Sequence, residues 1–579
     1  MLDKTWRLIA GNWPLYAAAM IVQACGTAIW LLVPFIMRYA VDTLIGGLPA
    51  DWALGTWMPA TLFGCALLIV GMTVVQGGFM FGRGAITAIA AERIAKDLKD
   101  KLYDRLQRMP YEYHVKARTG DLVQRCTSDV ETIRGVLAAQ LTELTRIIFL
   151  AVIAIGFMLT LHVPLTLVAV IPLPLVIIAS VIFSGKVEKA FHKVDVKEGE
   201  LSAVLQENLS GVRVVRAFGR EQFEIDKFEE KSREHRDLAY VLMRKLATFW
   251  SISDAFGSLQ IAAVLGFGVY LAFHDAITLG TLLVFITYAN MLTWPIRELG
   301  RILSHMGMMV VSFDRVNEVL ETPVETDTPG AVKADLSGDI VFDNVRFGYG
   351  EGADVLNGLS FTVKRGETIA ILGGTGSGKS TIMHLLLRLY DYESGSITIN
   401  GTELKNIEKS WLRQKIGIVL QEPFLFSKTI MANIEMAKDS VSALDIYAAM
   451  ETAAMHDVTA GFPAGYDTIV GERGVTLSGG QKQRLAIART LIKDCDILIF
   501  DDSLSAVDTE TDLQIRTALK ERRQGVTTFI ISQRVTTLMD ADRIFVLEAG
   551  KLADCGSHEA LTSRDGLYRR IWGIQSMRE

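Results

Sequence analysis

Eight consecutive residues carry the strongest chemical signal in this chain: Gly373-Gly374-Thr375-Gly376-Ser377-Gly378-Lys379-Ser380. Their spacing is that of a phosphate-binding loop, in which backbone N–H groups and a helix N-terminus surround an anion. Glycine is needed where the chain turns tightly and approaches the phosphates. Lys379 is expected to reach the β- and γ-phosphates and the Ser380 hydroxyl to ligate Mg²⁺, so the loop and the adjoining Thr381 form the expected ATP-binding segment. A second apolar run, Ile497-Leu498-Ile499-Phe500, ends in Asp501. That places a carboxylate at a sheet edge, where it would position Mg²⁺ through the metal's retained waters. Tyr349, upstream of the loop, is expected to stack on adenine.

These residues need a strand, a loop and a helix in that order. The apolar run Thr368-Ile369-Ala370-Ile371-Leu372 precedes the loop and the helical run Ile382-Met383-His384-Leu385 follows it. Short β-rich runs such as Ile340-Val341-Phe342 alternate with helical stretches over residues 338–579, which predicts an α/β P-loop nucleotide-binding domain. Ahead of it, Glu321-Thr322-Pro323 and Asp327-Thr328-Pro329-Gly330 carry a linker signal, assigned to residues 326–337.

Residues 1–325 have a different character. The chain of 579 residues is too long for one compact domain. Half its residues are apolar and 21% are charged, below the roughly 25% usual for soluble proteins, so disorder is excluded and a membrane is indicated. With 59 basic and 65 acidic residues there is no basic excess to suggest nucleic acid. Cys25, Cys65, Cys126, Cys495 and Cys555 are scattered without ligand spacing, so they read as buried thiols, not as a disulfide framework or zinc site. A bilayer core needs about 20 helical residues. Six uncharged or nearly uncharged stretches reach that length, near 15–37, 57–81, 140–162, 164–185, 250–273 and 279–300. His162-Val163-Pro164 marks the turn between the third and fourth, and His274-Asp275 the break between the fifth and sixth.

Lys and Arg crowd the segments from Arg83 to Arg134 and from Lys186 to Lys245 and are missing near 39–57, 162–164 and 274–278. Short basic loops stay inside, so both termini and both long segments are expected on the cytoplasmic side. Lys4 and Arg7 before the first apolar run imitate a signal peptide, but the run is too long for a signal core. Leu2, Trp6 and Ile9 fit a short helix at the membrane surface. Helical spacing through Ile89-Ile94-Leu98-Leu102 and Leu201-Val204-Leu205 carries the spans into the cytoplasm. Breaks are expected from Met109-Pro110-Tyr111 through Thr119-Gly120-Asp121, and again at Leu209-Ser210-Gly211, each presenting a short transverse helix.

Leu477-Ser478-Gly479-Gly480-Gln481, between the phosphate loop and Asp501, resembles the signature of ATP-binding cassette (ABC) transporters. The resemblance covers almost the whole chain, because Glu207-Asn208-Leu209-Ser210-Gly211-Val212-Arg213-Val214-Val215-Arg216-Ala217-Phe218 is similar to the second intracellular loop of exporters. It implies a half-transporter of six spans and one cassette, acting as a pair, with each ATP held between one phosphate loop and the partner's signature. Gln421 matches the glutamine that senses Mg²⁺, and Ser505-Ala506-Val507-Asp508 the loop linking the two sites, with Asp508 its acid. The segments near Tyr111–Thr119 and Gly211–Gly219 would be coupling helices.

Two positions depart from the family pattern. Asp502 stands where the family has the glutamate that orients attacking water, and Gln533 where it has a switch histidine. Aspartate is one methylene shorter, so its carboxylate falls about 1 Å short, a misplacement that can cost roughly 100-fold in rate. Glutamine hydrogen-bonds a phosphate but carries no positive charge. The resemblance is therefore to the degenerate-site subunit of a heterodimeric multidrug exporter, with a partner that supplies Glu and His. The expected function is ATP-driven export of a small hydrophobic or amphipathic substrate across the plasma (inner) membrane. The rivals are a homodimeric exporter or lipid flippase with a slow Asp base, and an ATP-gated regulatory or channel-like membrane protein. With no peptidase domain read ahead of the first span, a peptide processor is not expected. Glu143, Arg146 and Asp254 near span ends are candidates for a polar cavity or for pairing with one another, and Trp30, Trp250 and Trp294 for interface anchors or packing.

Overall fold

The computed structural model describes residues 8–47, 58–350, 352–503, 507–522 and 525–576. The expectations at Leu2, Trp6, Trp57, Ser505 and Ala506 lie outside them. The chain divides into two compact units, residues 1–109 with 117–323, and residues 110–116 with 324–579.

Among its described residues the first unit holds six helices long and apolar enough to cross a membrane: Ala10–Ile45, Leu62–Gln107, Thr119–Leu161, Val163–Ala217, Glu221–Phe273 and Leu279–Glu321. Helix is the form a lone segment takes in lipid, because it satisfies its own backbone hydrogen bonds. The starts are specified locally. Thr61 and Thr278 accept hydrogen bonds from the N–H groups of Gly64 and Thr281, and His162, in extended backbone, accepts one from Leu165 N. The helices run far past the bilayer length, as the helical spacing predicts.

Two expectations fail. Only Cys65 and Cys495 are buried thiols, whereas Cys25 is exposed and Cys126 and Cys555 are half-buried. Leu209-Ser210-Gly211 is not a break: helix Pro172–Ala217 runs through it, and the chain reverses at Phe218-Gly219-Arg220, where Gly219 takes φ +59°. A glycine inside a helix costs only about 1 kcal/mol relative to alanine. Here the hairpin partner offsets that cost, since Lys227 bonds Glu207 at 3.1 Å and Asn208 donates to Glu224 at 3.2 Å across the turn. Lys231 and Lys197 reach Glu200 and Glu234 further along. No separate transverse helix lies in this turn. The break after Met109 does occur, and Tyr111–Lys116 is a short helix beyond Pro110.

Helix Leu279–Glu321 forms the centre of the first unit. Of its most apolar window 61% is buried, against 6% for Leu62–Gln107. Tyr288 is fully buried and donates to Leu31 O, and Gln260 donates to Ala169 O at 2.6 Å. At its start, the Asp42 carboxylate accepts from Gly280 N at 2.7 Å and Thr278 Oγ1 at 2.6 Å. A carboxylate at a helix N-terminus is favoured by the helix dipole. A Cβ at Gly280 would lie 2.7 Å from that same carboxylate, so only glycine leaves it room.

The second unit carries two sheets. Strands β1 (Ile340–Phe347), β2 (Leu356–Val363), β4 (Ser394–Ile399) and β5 (Thr402–Glu403) form an antiparallel sheet in the order β2-β1-β4-β5. Strands β3 (Thr368–Gly373), β6 (Ile416–Val419), β7 (Ile497–Asp501), β8 (Thr527–Ile531), β9 (Arg543–Glu548) and β10 (Lys551–Gly556) form the other, in the order β10-β9-β3-β8-β7-β6. All pairs in it are parallel except β9 with β10. β3 and β7 are continuous apolar runs because a parallel sheet is covered on both faces.

The Pro/Thr-rich stretch ahead of β1 is not a free tether. Thr328 Oγ1 donates to Lys405 O at 2.7 Å, Val332 pairs with Ile407, and Trp411 Nε1 donates to Ala334 O at 2.8 Å. Glu325 accepts two hydrogen bonds from Arg413, at 2.6 and 2.7 Å, and pairs with Lys409 at 3.3 Å. Burial pushes the Glu325 carboxyl up, but Arg413 and Lys409 outweigh it and hold it below the ordinary glutamate value. A depressed folded pKa contributes stability that is fully present above the unfolded value of about 4.3 and lost as pH falls through the folded one. Glu325→Gln is therefore expected to lower stability by about 1–2 kcal/mol near neutral pH. The gap to wild type should close as pH falls below about 4 in a thermal-unfolding series on the purified chain.

Candidate functional site

The loop after β3 is shaped by its glycines. Gly376 and Gly378 take φ +80° and +98°. At Gly378 a Cβ would also come within 2.6 Å of Leu356 Cδ2, so both conformation and space demand glycine. Helix Lys379–Leu386 starts directly behind it. The Lys379 ammonium folds back over the loop, donating to Gly373 O at 2.9 Å and Gly374 O at 2.8 Å. The Ser377 hydroxyl is buried and has no hydrogen-bond partner among the described residues.

Two neighbouring strands bring the acids to this loop. β8 lies between β3 and β7, with Ile371 beside Ile531 and Ile531 beside Asp501. Ligands of parallel sheets bind outside the carboxyl ends of the strands, and that edge collects Ser380, Asp501, Asp502 and Ser532. Ser380 Oγ donates to Asp501 Oδ1 at 3.3 Å. Asp502 sits in the left-handed region at φ +45°, which Asp tolerates better than most residues, and its N–H is held by Ile531 O at 2.8 Å. Its carboxylate accepts weak bonds from Gln421 Nε2 and Ser532 Oγ, both at 3.4 Å. Burial lowers the Lys379 pKa against the pull of Asp501 and Asp502. It also raises Asp501, against Ser380, His384 and Lys379. Asp502 is raised by burial first and by Asp501 as well, opposed by Ser532, Arg534 and Lys379. The edge thus holds one cation and two carboxylates partly withdrawn from solvent.

Ser380 Oγ, an Asp501 oxygen and the Gln421 amide oxygen are hard oxygen donors, the set Mg²⁺ prefers. Among the described residues no group of three or more His, Cys, Asp or Glu could hold a metal.

Tyr349 is half-exposed at the same edge. Its hydroxyl hydrogen-bonds with Thr381 Oγ1 and with His384 Nδ1, both at 3.1 Å. The sequence reading gave His384 no role, yet Thr381 and His384 are three apart on one helix face, which is the signal that one tyrosine can meet both. Tyr390 and Tyr111 continue the ring cluster at centroid distances of 5.1 Å from Tyr349 and 5.9 Å from His384 respectively.

Leu477–Gln481 is placed apart from this edge. Ser478 caps helix Gly479–Leu491 in a reciprocal capping box with Gln481. That helix packs beside β6, two strands beyond β8, where Thr490 Oγ1 donates to Ile418 O and Gln483 Nε2 to Leu420 O. Asp508 is also separate, capping the start of the next helix by accepting from Thr511 N at 2.9 Å. In the first unit the candidate cavity charges are paired within the chain. Arg146 bonds Glu143, and Arg297 bonds Asp254 while its guanidinium lies 5.5 Å over Trp250.

Residues 16–296 match the model of the ABC transporter transmembrane region and residues 356–505 that of the ABC transporter cassette. The chain belongs to the ABC transporters, as an exporter-type half-transporter with a membrane domain fused to one cassette. It is 35% identical to the ABC transporter ATP-binding protein YknU of Bacillus subtilis (strain 168), over 98% of this chain and 97% of that one. It is 31% identical to the ATP-dependent lipid A-core flippase of Syntrophus aciditrophicus (strain SB), over 99% of this chain and 94% of that one. Among solved structures it is similar to a bacterial Atm1-family ABC exporter with ATP bound, with a TM-score of 0.83 and 30% identity, covering 97% of this chain and 99% of the other. A cassette of this family is an ATPase coupled to transport, and exporters of the family act as dimers.

Removing the Lys379 charge withdraws the only cation bonded to the loop carbonyls among the described residues. Lys379→Ala is expected to weaken MgATP binding at least about tenfold, since charge-assisted hydrogen bonds contribute about 1.5–3 kcal/mol each. Titration with a fluorescent ATP analogue, displaced by MgATP, measures it.

Proposed function

We propose that this chain is the degenerate-site subunit of a heterodimeric exporter that moves a small hydrophobic or amphipathic substrate across the membrane by alternating access. Residues 1–325 would be its transmembrane domain, 326–337 the linker and 338–579 the cassette, with both termini and the cassette cytoplasmic. Gly373–Thr381, Tyr349 and Gln421 would bind ATP, and Ser380, Gln421 and Asp501 would hold Mg²⁺, whose charge offsets that of the phosphates. Leu477–Gln481 would complete the partner's site and Asp508 would link the two.

The carrying observation is Asp502. Its carboxylate sits beside Gln421 and Ser532 at the strand edge that carries the loop, yet it is one methylene shorter than the family's base. Gln533 in the adjoining segment accepts and donates hydrogen bonds without the charge a histidine gains. With Lys379, Ser380 and Asp501 all in place, binding is retained and hydrolysis slowed. ATP at this site would hold the cassettes together while hydrolysis at the partner's site resets the pump. Closure is driven by ATP binding the closed state more tightly than the open one. A second reading, a lipid flippase, is favoured by the relative named a lipid A-core flippase.

Vanadate-sensitive ATP turnover of this chain alone in lipid, beside its Asp502→Glu/Gln533→His double variant, tests the proposal. The expected outcome is negligible turnover by the wild type and a gain of roughly 100-fold in the double variant. Robust wild-type turnover, or recovery of nothing but homodimers from native membranes, would overturn the heterodimer.

A further inference from the structure

The helix Leu567–Ser576 packs on the cassette with one face. Tyr568 is fully buried, with its hydroxyl 2.6 Å from His558 Nδ1, and Ile571 and Trp572 lie against the same core. Positions 568, 571, 572 and 575 follow the i, i+3, i+4, i+7 spacing of a single helix face. The last of them is polar: Gln575. Both ends of its amide are used. Oε1 accepts from Val535 N at 2.8 Å, and Nε2 donates to Gln533 O at 2.8 Å.

Those two backbone groups bracket the segment after β8. Val535 opens the short helix Val535–Leu538, so its N–H has no partner within that helix. The Gln533 carbonyl fixes the peptide plane that joins Gln533 to Arg534. A third tie comes from Ser532 Oγ, which accepts from Arg534 N at 3.1 Å. Because β8 runs between β3 and β7, this segment emerges between the phosphate loop and Asp501–Asp502. Its backbone setting decides where the Gln533 side chain stands relative to a terminal phosphate.

We propose that Gln575 is a positioning residue for nucleotide recognition: by clamping Gln533 O and Val535 N it holds the switch segment where Gln533 can read the γ-phosphate. The inference rests on the nucleotide-site reading above. Its reach is specific, because the clamp acts where ATP and ADP differ and not on the loop that both occupy.

The test is competitive titration of the full-length chain in lipid with MgATP and MgADP, for wild type, Gln575→Met and Gln575→Glu. Methionine keeps the length and packing and removes both hydrogen bonds. Glutamate is isosteric but sets a carboxylate oxygen against the Gln533 carbonyl. Both variants are expected to lose about fivefold or more of the preference for ATP over ADP, with MgADP affinity and unfolding temperature as in wild type. An unchanged preference, or equal weakening of both nucleotides, overturns the inference. If the methionine variant is unstable, the isosteric glutamate variant decides alone. A wild type that binds neither nucleotide overturns the site reading itself, and the clamp with it.

Discussion

The parallel pairing of β8 with both β3 and β7 is the constraint on which the cassette's chemistry depends. A parallel sheet sends every strand's carboxyl end to the same edge. Three loops far apart in sequence, after Gly373, after Asp501 and after Ile531, therefore meet there. An antiparallel β8 would have left Ser532 and Gln533 at the opposite edge from Lys379. The antiparallel sheet of β1, β2, β4 and β5 has a different task, carrying Tyr349 to the loop's flank.

Within that edge the electrostatics are unsatisfied in a productive sense. Lys379 gives its hydrogen bonds to two carbonyls, while Asp501 and Asp502 are raised by burial and Asp502 also by the charge of Asp501. Two carboxylates and an ammonium held from water bind a phosphate and metal more strongly than the same groups in solvent, since Coulomb energies grow as the effective dielectric falls. The site is assembled before anything binds to it.

How much of this was legible depended on how local its cause was. The phosphate loop, the strand ending at Asp501 and the turn at His162 are written in consecutive residues, and the six spans are written in length and charge alone. The helix through Leu209-Ser210-Gly211 was not, because side chains across the hairpin, such as Lys227 and Glu224, override a local glycine. Asp42 at the start of the last spanning helix could not be paired with Gly280 from a sequence in which they stand 238 residues apart. Gln575 read as an unremarked polar residue near one end of the chain, since neither of its backbone partners offers a side-chain pattern to detect. His384 was missed for a smaller reason: its partner Tyr349 was read for its ring and not for its hydroxyl.

Glycine at position 479 has a consequence of its own. A Cβ there would meet no atom of the described residues within 4 Å, so nothing among them requires the residue to be small. What the first turn of helix Gly479–Leu491 displays is bare peptide at the positive end of a helix, steadied by the Ser478–Gln481 box. Charge carried by backbone has no rotamers to freeze and no proton to lose. An anion arriving at this turn from outside would meet donors that do not themselves titrate, at little cost in ordering.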